Sequence, residues 1–313
     1  MKLDLELLKR LLVIDHPSGQ EWPMIAFVIN ECYKIGNLQF DIDGYANIFI
    51  TKNTTNPEYF PCVVAHMDCI LDCANKEVVI KDNKITGRDR LKGTQVGLGA
   101  DDAVGICVAL QLLKVMPDLK VCFTTEEEVG FKGADIAADN VDFFYDVSYL
   151  IQADRRNNSD LITFTNGIYS ASETWLEQVT GIMAKFNYKE ATGIGTDVGV
   201  LAERLQLSGV NVSCGYAKEH TNNEYIIIPD AQRCLNFIKS ILETVILDRQ
   251  YEIKVNYTNY YRYYNPNKKD YTWNDQYNYD LDEIDKDYPG YDDFLMCNNC
   301  KDFDCMNCKY YNS

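Results

Sequence analysis

The sequence is short of positive charge: 30 Lys and Arg residues stand against 47 Asp and Glu, a net charge of −17. That balance works against binding to nucleic-acid backbones and to anionic membranes. No apolar run approaches the roughly 20 residues that a membrane-spanning helix needs. The apolar stripe of Met1–Leu12 is interrupted by Asp4, Glu6, Lys9 and Arg10, which reads as an amphipathic helix and not as a secretory leader. Histidine is scarce enough that His16, His66 and His220 can each be weighed singly. Cysteine is not scarce, at twelve residues. Without a leader the reducing cytosol is the expected compartment, and Cys32, Cys62, Cys107, Cys122, Cys214 and Cys234, set among apolar residues, read as buried thiols.

What is present is an ordinary globular composition, 46% apolar and 25% charged over 313 residues, enough for one large domain with or without a small appendage. A helix is expected over 3–14. Ser18–Gly19–Gln20–Glu21 before Trp22–Pro23 reads as a capping box that opens a second helix to about Lys34. Segments 37–43 and 46–51 read as a hairpin, as do 77–81 and 84–86. Continuous apolar runs at 61–68, 120–125 and 148–154 have the character of strands buried on both faces. Helices are expected at 102–115, 171–186, 198–205 and 230–247, with a strand at 209–214. This alternation predicts an α/β fold: a three-layer αβα sandwich around a mostly parallel mixed sheet, over residues 1–250.

In such sheets ligands bind outside the carboxyl ends of the strands. His66, Asp68, Glu126–Glu128 and Asp154 all fall at such ends. Three adjacent carboxylates at the tip of a buried strand repel one another and resist desolvation, which a bound cation would relieve. In His66–Met67–Asp68 the carboxylate is placed to fix the imidazole tautomer, as behind a metal ligand. His220 lies in a polar loop where no apolar packing explains it, whereas His16 before Pro17 reads as structural. Asp101 and Asp102 begin a helix, so one of them could serve only as a cap.

Taken together, His66–Met67–Asp68, Gly99–Ala100–Asp101–Asp102, Glu127–Glu128–Val129–Gly130, Asp154 and His220 resemble the co-catalytic di-zinc exopeptidases, the superfamily of peptidase T and of the glutamyl, tetrahedral and leucyl aminopeptidases. The resemblance spans about residues 3–247. Softer matches are Pro17–Ser18–Gly19–Gln20–Glu21 and Gly195–Thr196–Asp197, the latter suggesting Thr196 and Asp197 as substrate contacts. The resemblance implies two zinc ions, with cobalt or manganese as substitutes. One would be held by His66, Asp101 and Asp154, the other by Asp101, Glu128 and His220. Asp101 would bridge, Asp68 would orient His66, and Glu127 would act as general base and acid on a peptide substrate. Ala103 departs from the Lys or Asn often found after the Asp–Asp pair. The 33 residues from Asp68 to Asp101 and the 66 from Asp154 to His220 leave no room for an inserted lid domain. A lidless chain leans toward aminopeptidase activity. A dipeptidase or N-acyl-amino-acid deacylase with the same site, and a non-catalytic scaffold, are the alternatives.

Beyond residue 250 the composition changes. Thirteen of the 22 tyrosines lie there among Asn and Asp, so 251–290 reads as an extended arm or linker, or as a segment held on by its tyrosines. In 291–313, Cys297, Cys300, Cys305 and Cys308 form a paired CxxC pattern whose thiolates could close a structural zinc knuckle. A protein partner or self-association through 251–313 is the role left open for this tail.

Overall fold

The computed structural model describes residues 1–70 and 75–255. In chain order its elements are α1 (Leu5–Leu12), α2 (Trp22–Ile35), β1 (Gln39–Ile42), β2 (Ile48–Lys52), β3 (Phe60–His66), β4 (Lys76–Lys81), β5 (Lys84–Asp89), β6 (Gln95–Val96), α3 (Ala100–Val115) and β7 (Leu119–Thr124). There follow α4 (Lys132–Ala137), α5 (Val141–Phe144), β8 (Val147–Arg155), β9 (Asp160–Thr165), β10 (Ile168–Tyr169), α6 (Glu173–Phe186) and β11 (Lys189–Thr192). The last are α7 (Asp197–Leu205), β12 (Gly209–Ser213), β13 (Tyr216–Ala217), β14 (Tyr225–Ile227) and α8 (Ile228–Thr244).

The central sheet runs β1-β2-β7-β3-β8-β12-β9-β10, with β11 beside β9. Its middle strands β7, β3, β8 and β12 are parallel, and the antiparallel pairs lie toward the two edges. The apolar runs of the middle strands divide between two cores with the period of two that a strand imposes. Val63, Ala65, Val121, Phe123, Tyr149 and Ile151 pack with α1, α2, α3, α6 and α8 on one face. Cys62, Val64, Cys122 and Leu150 pack with Ala134, Phe143, Phe144 and Leu201 on the other. This is the expected three-layer αβα arrangement around a mixed sheet. Helix α3 is buried on every side from Ala100 to Leu113, which explains why its sequence is apolar all round and not striped.

The hairpin expected at 77–81 and 84–86 is β4–β5, but its extension into a second, smaller sheet, β13-β14-β5-β4 with β6 beside β5, was not foreseen, nor were β9 to β11. The small sheet matters because the loop between β13 and β14 carries His220. Two local expectations are corrected. Ser18 is not the cap of α2, whose first turn has no side-chain cap; its hydroxyl donates to Asp68 instead, and only Glu21 reaches back, to the Gly19 N–H. Residues 251–253 belong with the domain: Tyr251 is buried against Tyr149, and Ile253 N–H donates to the Gln206 carbonyl. The rest of the expected arm, and Cys297, Cys300, Cys305 and Cys308, lie outside the described residues.

Candidate metal centre and catalytic carboxylate

His66 ends β3 and is fully buried, lying between the carboxyl ends of β7 and β8. Its Nδ1 lies 3.0 Å from the Asp68 backbone carbonyl and 3.3 Å from Asp68 Oδ1. A proton held on Nδ1 leaves Nε2 free to face the carboxylates of Asp101, at 3.0 Å, and Asp154, at 3.6 Å. The tautomer is therefore set mainly by a backbone carbonyl. The Asp68 side chain does something further: Oδ1 accepts from Glu127 N–H at 2.9 Å and Oδ2 from Glu128 N–H at 3.2 Å and from Ser18 Oγ at 2.7 Å. One residue thus locks both the imidazole and the loop of the two glutamates. Burial opposes its charge, but these bonds and His66 hold its pKa below the usual range.

The three glutamates after β7 go to different places. Glu126 turns away, accepting from Tyr45 Oη at 2.8 Å and pairing with Lys132 at 3.1 Å. Glu128 lies 2.9 Å from His220 Nε2, whose distance to Asp101 Oδ2 is 3.3 Å. Glu127 is buried without an ion-pair partner among the described residues, and desolvation beside Asp154 and Asp101 raises its pKa well above the ordinary value. The loop is seated by Asn47, which accepts from Thr125 N–H and donates to the Gly133 carbonyl. A side chain at Gly133 would strike the Thr125 carbonyl, so only glycine fits there.

Asp101 and Asp102 separate into two roles. Asp102 Oδ1 accepts from Gly105 N–H at 2.9 Å, capping the regular part of α3, while Asp101 faces the two histidines. Asp154 ends β8 with Tyr216 Oη at 3.0 Å, Gln152 Nε2 at 3.1 Å and Thr196 Oγ1 at 3.3 Å. Its arginine neighbours are engaged elsewhere, Arg155 with Asp160 and Arg156 with Glu219. Burial, followed by the Asp101 charge, pushes Asp154 up to about 7. Thr196 and Asp197, expected as substrate contacts, are both buried. Thr196 also donates to Gln152 Oε1, and so braces Asp154 from behind. Asp197 accepts from Thr124 Oγ1, while its Oδ1 has no hydrogen-bond partner among the described residues.

The donor atoms of Asp101, Glu128 and His220 all lie within 4.8 Å of one another. The same holds for His66, Glu127 and Glu128, and for His66, Asp102 and Asp154. Asp102 is already spent on the helix cap, so Asp101, 3.0 Å from His66 Nε2, is the better third member of the last group. The chemistry of this donor set suits divalent cations. Carboxylate oxygens and imidazole nitrogens converge in a buried space, and Glu127, Glu128 and Asp154 all have raised pKa values, first through burial and then through neighbouring carboxylates. Sequence reasoning missed Gln152, Tyr216 and Glu224, and placed Ser18 only in a softer match, without its bond to Asp68. Each bears on the centre through a hydrogen bond, and no local sequence pattern marks such a role.

No family model matches the sequence, and no curated protein matches it. The fold is nonetheless shared with solved structures. The aminopeptidase PepT from Bacillus cereus superposes with a TM-score of 0.63 at 14% identity, over 76% of this chain and 97% of that one. The aminopeptidase APDkam598 from the archaeon Desulfurococcus kamchatkensis gives 0.62 at 16% identity, over 78% and 95%. The TET1 peptidase of Pyrococcus horikoshii, described as assembling into a tetrahedron or a large octahedral shell, gives 0.56 at 16% identity, over 76% and 98%. At these identities the likeness establishes the architecture.

Proposed function

We propose that the chain is a metal-dependent exopeptidase of the aminopeptidase type, with two zinc ions as its resident metals. The observation that supports this most is the convergence of His66, Asp101, Asp154, Glu128 and His220 beside the buried Glu127, at the carboxyl ends of parallel strands. His66, Asp101 and Asp154 would hold one ion and Asp101, Glu128 and His220 the other. Bound there, such ions lower the pKa of a water molecule and polarise a carbonyl. The chain supplies the rest. Glu127, kept in place by its N–H bond to Asp68, accepts the proton of the attacking water and returns it to the leaving amine. Burial suits it to that exchange, because a carboxylate with a raised pKa holds and releases a proton nearer neutrality. A peptide with a free amino end is the expected substrate. The aminopeptidase descriptions of the structural relatives accord with this.

The test compares free-amino with N-acylated peptides on the full chain loaded with zinc, cobalt or manganese. Hydrolysis confined to free-amino peptides is expected, and Glu127→Gln should reduce kcat by ~10²–10⁴-fold with metal content unchanged. Preferential cleavage of the acylated peptides would replace this reading with a deacylase. Unchanged turnover in the variant would remove Glu127 from the mechanism. We also propose a third, structural zinc on Cys297, Cys300, Cys305 and Cys308, a cytoplasmic location, and self-association or partner binding through 251–313. Zinc content falling by one per chain on deletion of 291–313 checks the first of these. No described helix is long and apolar enough to cross a membrane.

A further inference from the structure

We infer that Glu224 is a positioning residue that aims Asp101 and His220 at one another. The inference rests on the metal-dependent reading above. Asp101 and Asp102 have non-helical backbone angles, so the start of α3 is not held by helical bonding, and the N–H groups preceding the regular helix need other acceptors. The Glu224 carboxylate takes four of them. Oε2 accepts from Leu98 at 2.8 Å and Gly99 at 2.7 Å, and Oε1 from Ala100 at 3.0 Å and Asp101 at 3.2 Å. Glu224 is almost completely buried, so water does not compete for these bonds.

Two further side chains hold the same segment. Buried Lys76 donates to the Leu98 carbonyl at 2.6 Å, and Asn222 Oδ1 accepts from Gly97 N–H at 3.2 Å. Gly99 sits at φ +67°, a left-handed conformation that favours glycine. Glu224 closes the loop between β13 and β14 that carries His220, and its own N–H donates to the Thr221 carbonyl. A shift of this carboxylate therefore displaces both Asp101 and His220, the pair whose donor atoms lie 3.3 Å apart. Glu224 faces the same small cavity as Asp101, Glu128 and His220. Its two oxygens are already spent on four N–H donors, so it acts through the backbone and not as a ligand.

The experiment titrates cobalt into the metal-free full chain, as wild type, Glu224→Gln and Glu224→Asp, and follows visible absorption and calorimetry. Cobalt on tail thiolates is told apart by its near-ultraviolet charge-transfer band. Glutamine keeps the volume but turns an NH₂ toward two of the N–H groups. Aspartate keeps the charge but falls one methylene short. Glu224→Gln should weaken the second nitrogen- and oxygen-bound equivalent, which uses both Asp101 and His220, by ~10–100-fold, with an altered visible spectrum, and the first, which shares only Asp101, by clearly less; Glu224→Asp should weaken the second less than Glu224→Gln does. A role in folding alone would weaken both equivalents alike. That result, or two wild-type equivalents in either folded variant, would overturn the inference. Because the titration uses no peptide, absence of hydrolysis would count against the peptidase reading alone. A wild type binding fewer than two such equivalents would overturn both.

Discussion

The two sides of the candidate metal centre are built differently. His66 and Asp154 end central parallel strands and have side chains exposed by 0% and 6%. His220 stands on a loop of the small sheet at φ +59°, with 41% of its side chain exposed. A strand end is located by its ladder and by both cores, whereas a loop is located by a few hydrogen bonds. The strand side therefore forms an invariant floor, and the loop side is the part that substitution or metal loss can move.

The largest test of that contrast sets His66→Ala against His220→Ala. Removing His66 strips a buried partner from Asp101 and Asp154. It should abolish binding of both ions and lower the stability of the metal-free protein by about 3–5 kcal/mol, the scale for breaking a buried ion pair. Removing the half-exposed His220 should cost under about 1 kcal/mol and release one ion only. Equal losses of metal and of melting temperature would break the comparison.

The pH dependence sharpens it. In the metal-free protein Asp154 titrates near 7 and Asp197 near 8, both raised first by burial, against 3.8 for the unconstrained group. Hydrogen bonds to Asp101 and Glu128 raise His220 from 6.5 to about 10. In each case the folded chain holds a proton that the unfolded chain has released, so stability falls as pH rises through the window between the two values. Metal-free protein should lose stability steadily from about pH 4 to pH 10, the aspartates acting first and His220 last. Bound metal displaces the protons on Asp154 and His220, so the gap in melting temperature between loaded and metal-free protein should widen with pH. Thermal melts at several pH values, with and without zinc, measure this, and a gap constant with pH would contradict it. The smallest expected effect is that of Ser18→Ala. Asp68 keeps its two N–H donors, so a loss of about 0.5 kcal/mol, the low end for one hydrogen bond, and at most ~10-fold in kcat is expected, with both ions retained, as read by steady-state kinetics and metal analysis.

Much of this was legible before the fold was seen, for a physical reason. Strands β3, β7 and β8 are apolar on both faces and polar only at their ends, so their boundaries and the residues at them stand out. His66, Asp154 and the glutamates are such residues. The register of Glu126–Glu128 was harder, because three identical side chains carry no phase; Tyr45, remote in sequence, and Lys132 at the start of α4 separate them. Ser18 and Glu21 have the spacing of a capping box, yet a buried carboxylate 50 residues away outcompetes the helix for the serine hydroxyl. Glu224 looked like any polar loop residue, since nothing local reveals that its partners are the N–H groups of residues 98–101. The short strands β10, β13 and β14, of two or three residues each, form only because a neighbouring strand is already present.

The strand-like tether at 251–253 bears on how this protein can be cut. Ser208 N–H donates to the Tyr251 carbonyl and Tyr251 N–H to the Ser148 carbonyl, at the starts of β12 and β8. Asp154 lies six residues further along β8, on the order of 20 Å away at the usual rise per residue. A truncation that ends at Val255 keeps this clasp and the tyrosine packed edge-on against Tyr149. One that ends at residue 250 would open a hole the size of an aromatic ring in the face behind β8, and its product would be expected to precipitate on expression while the five-residue-longer version does not.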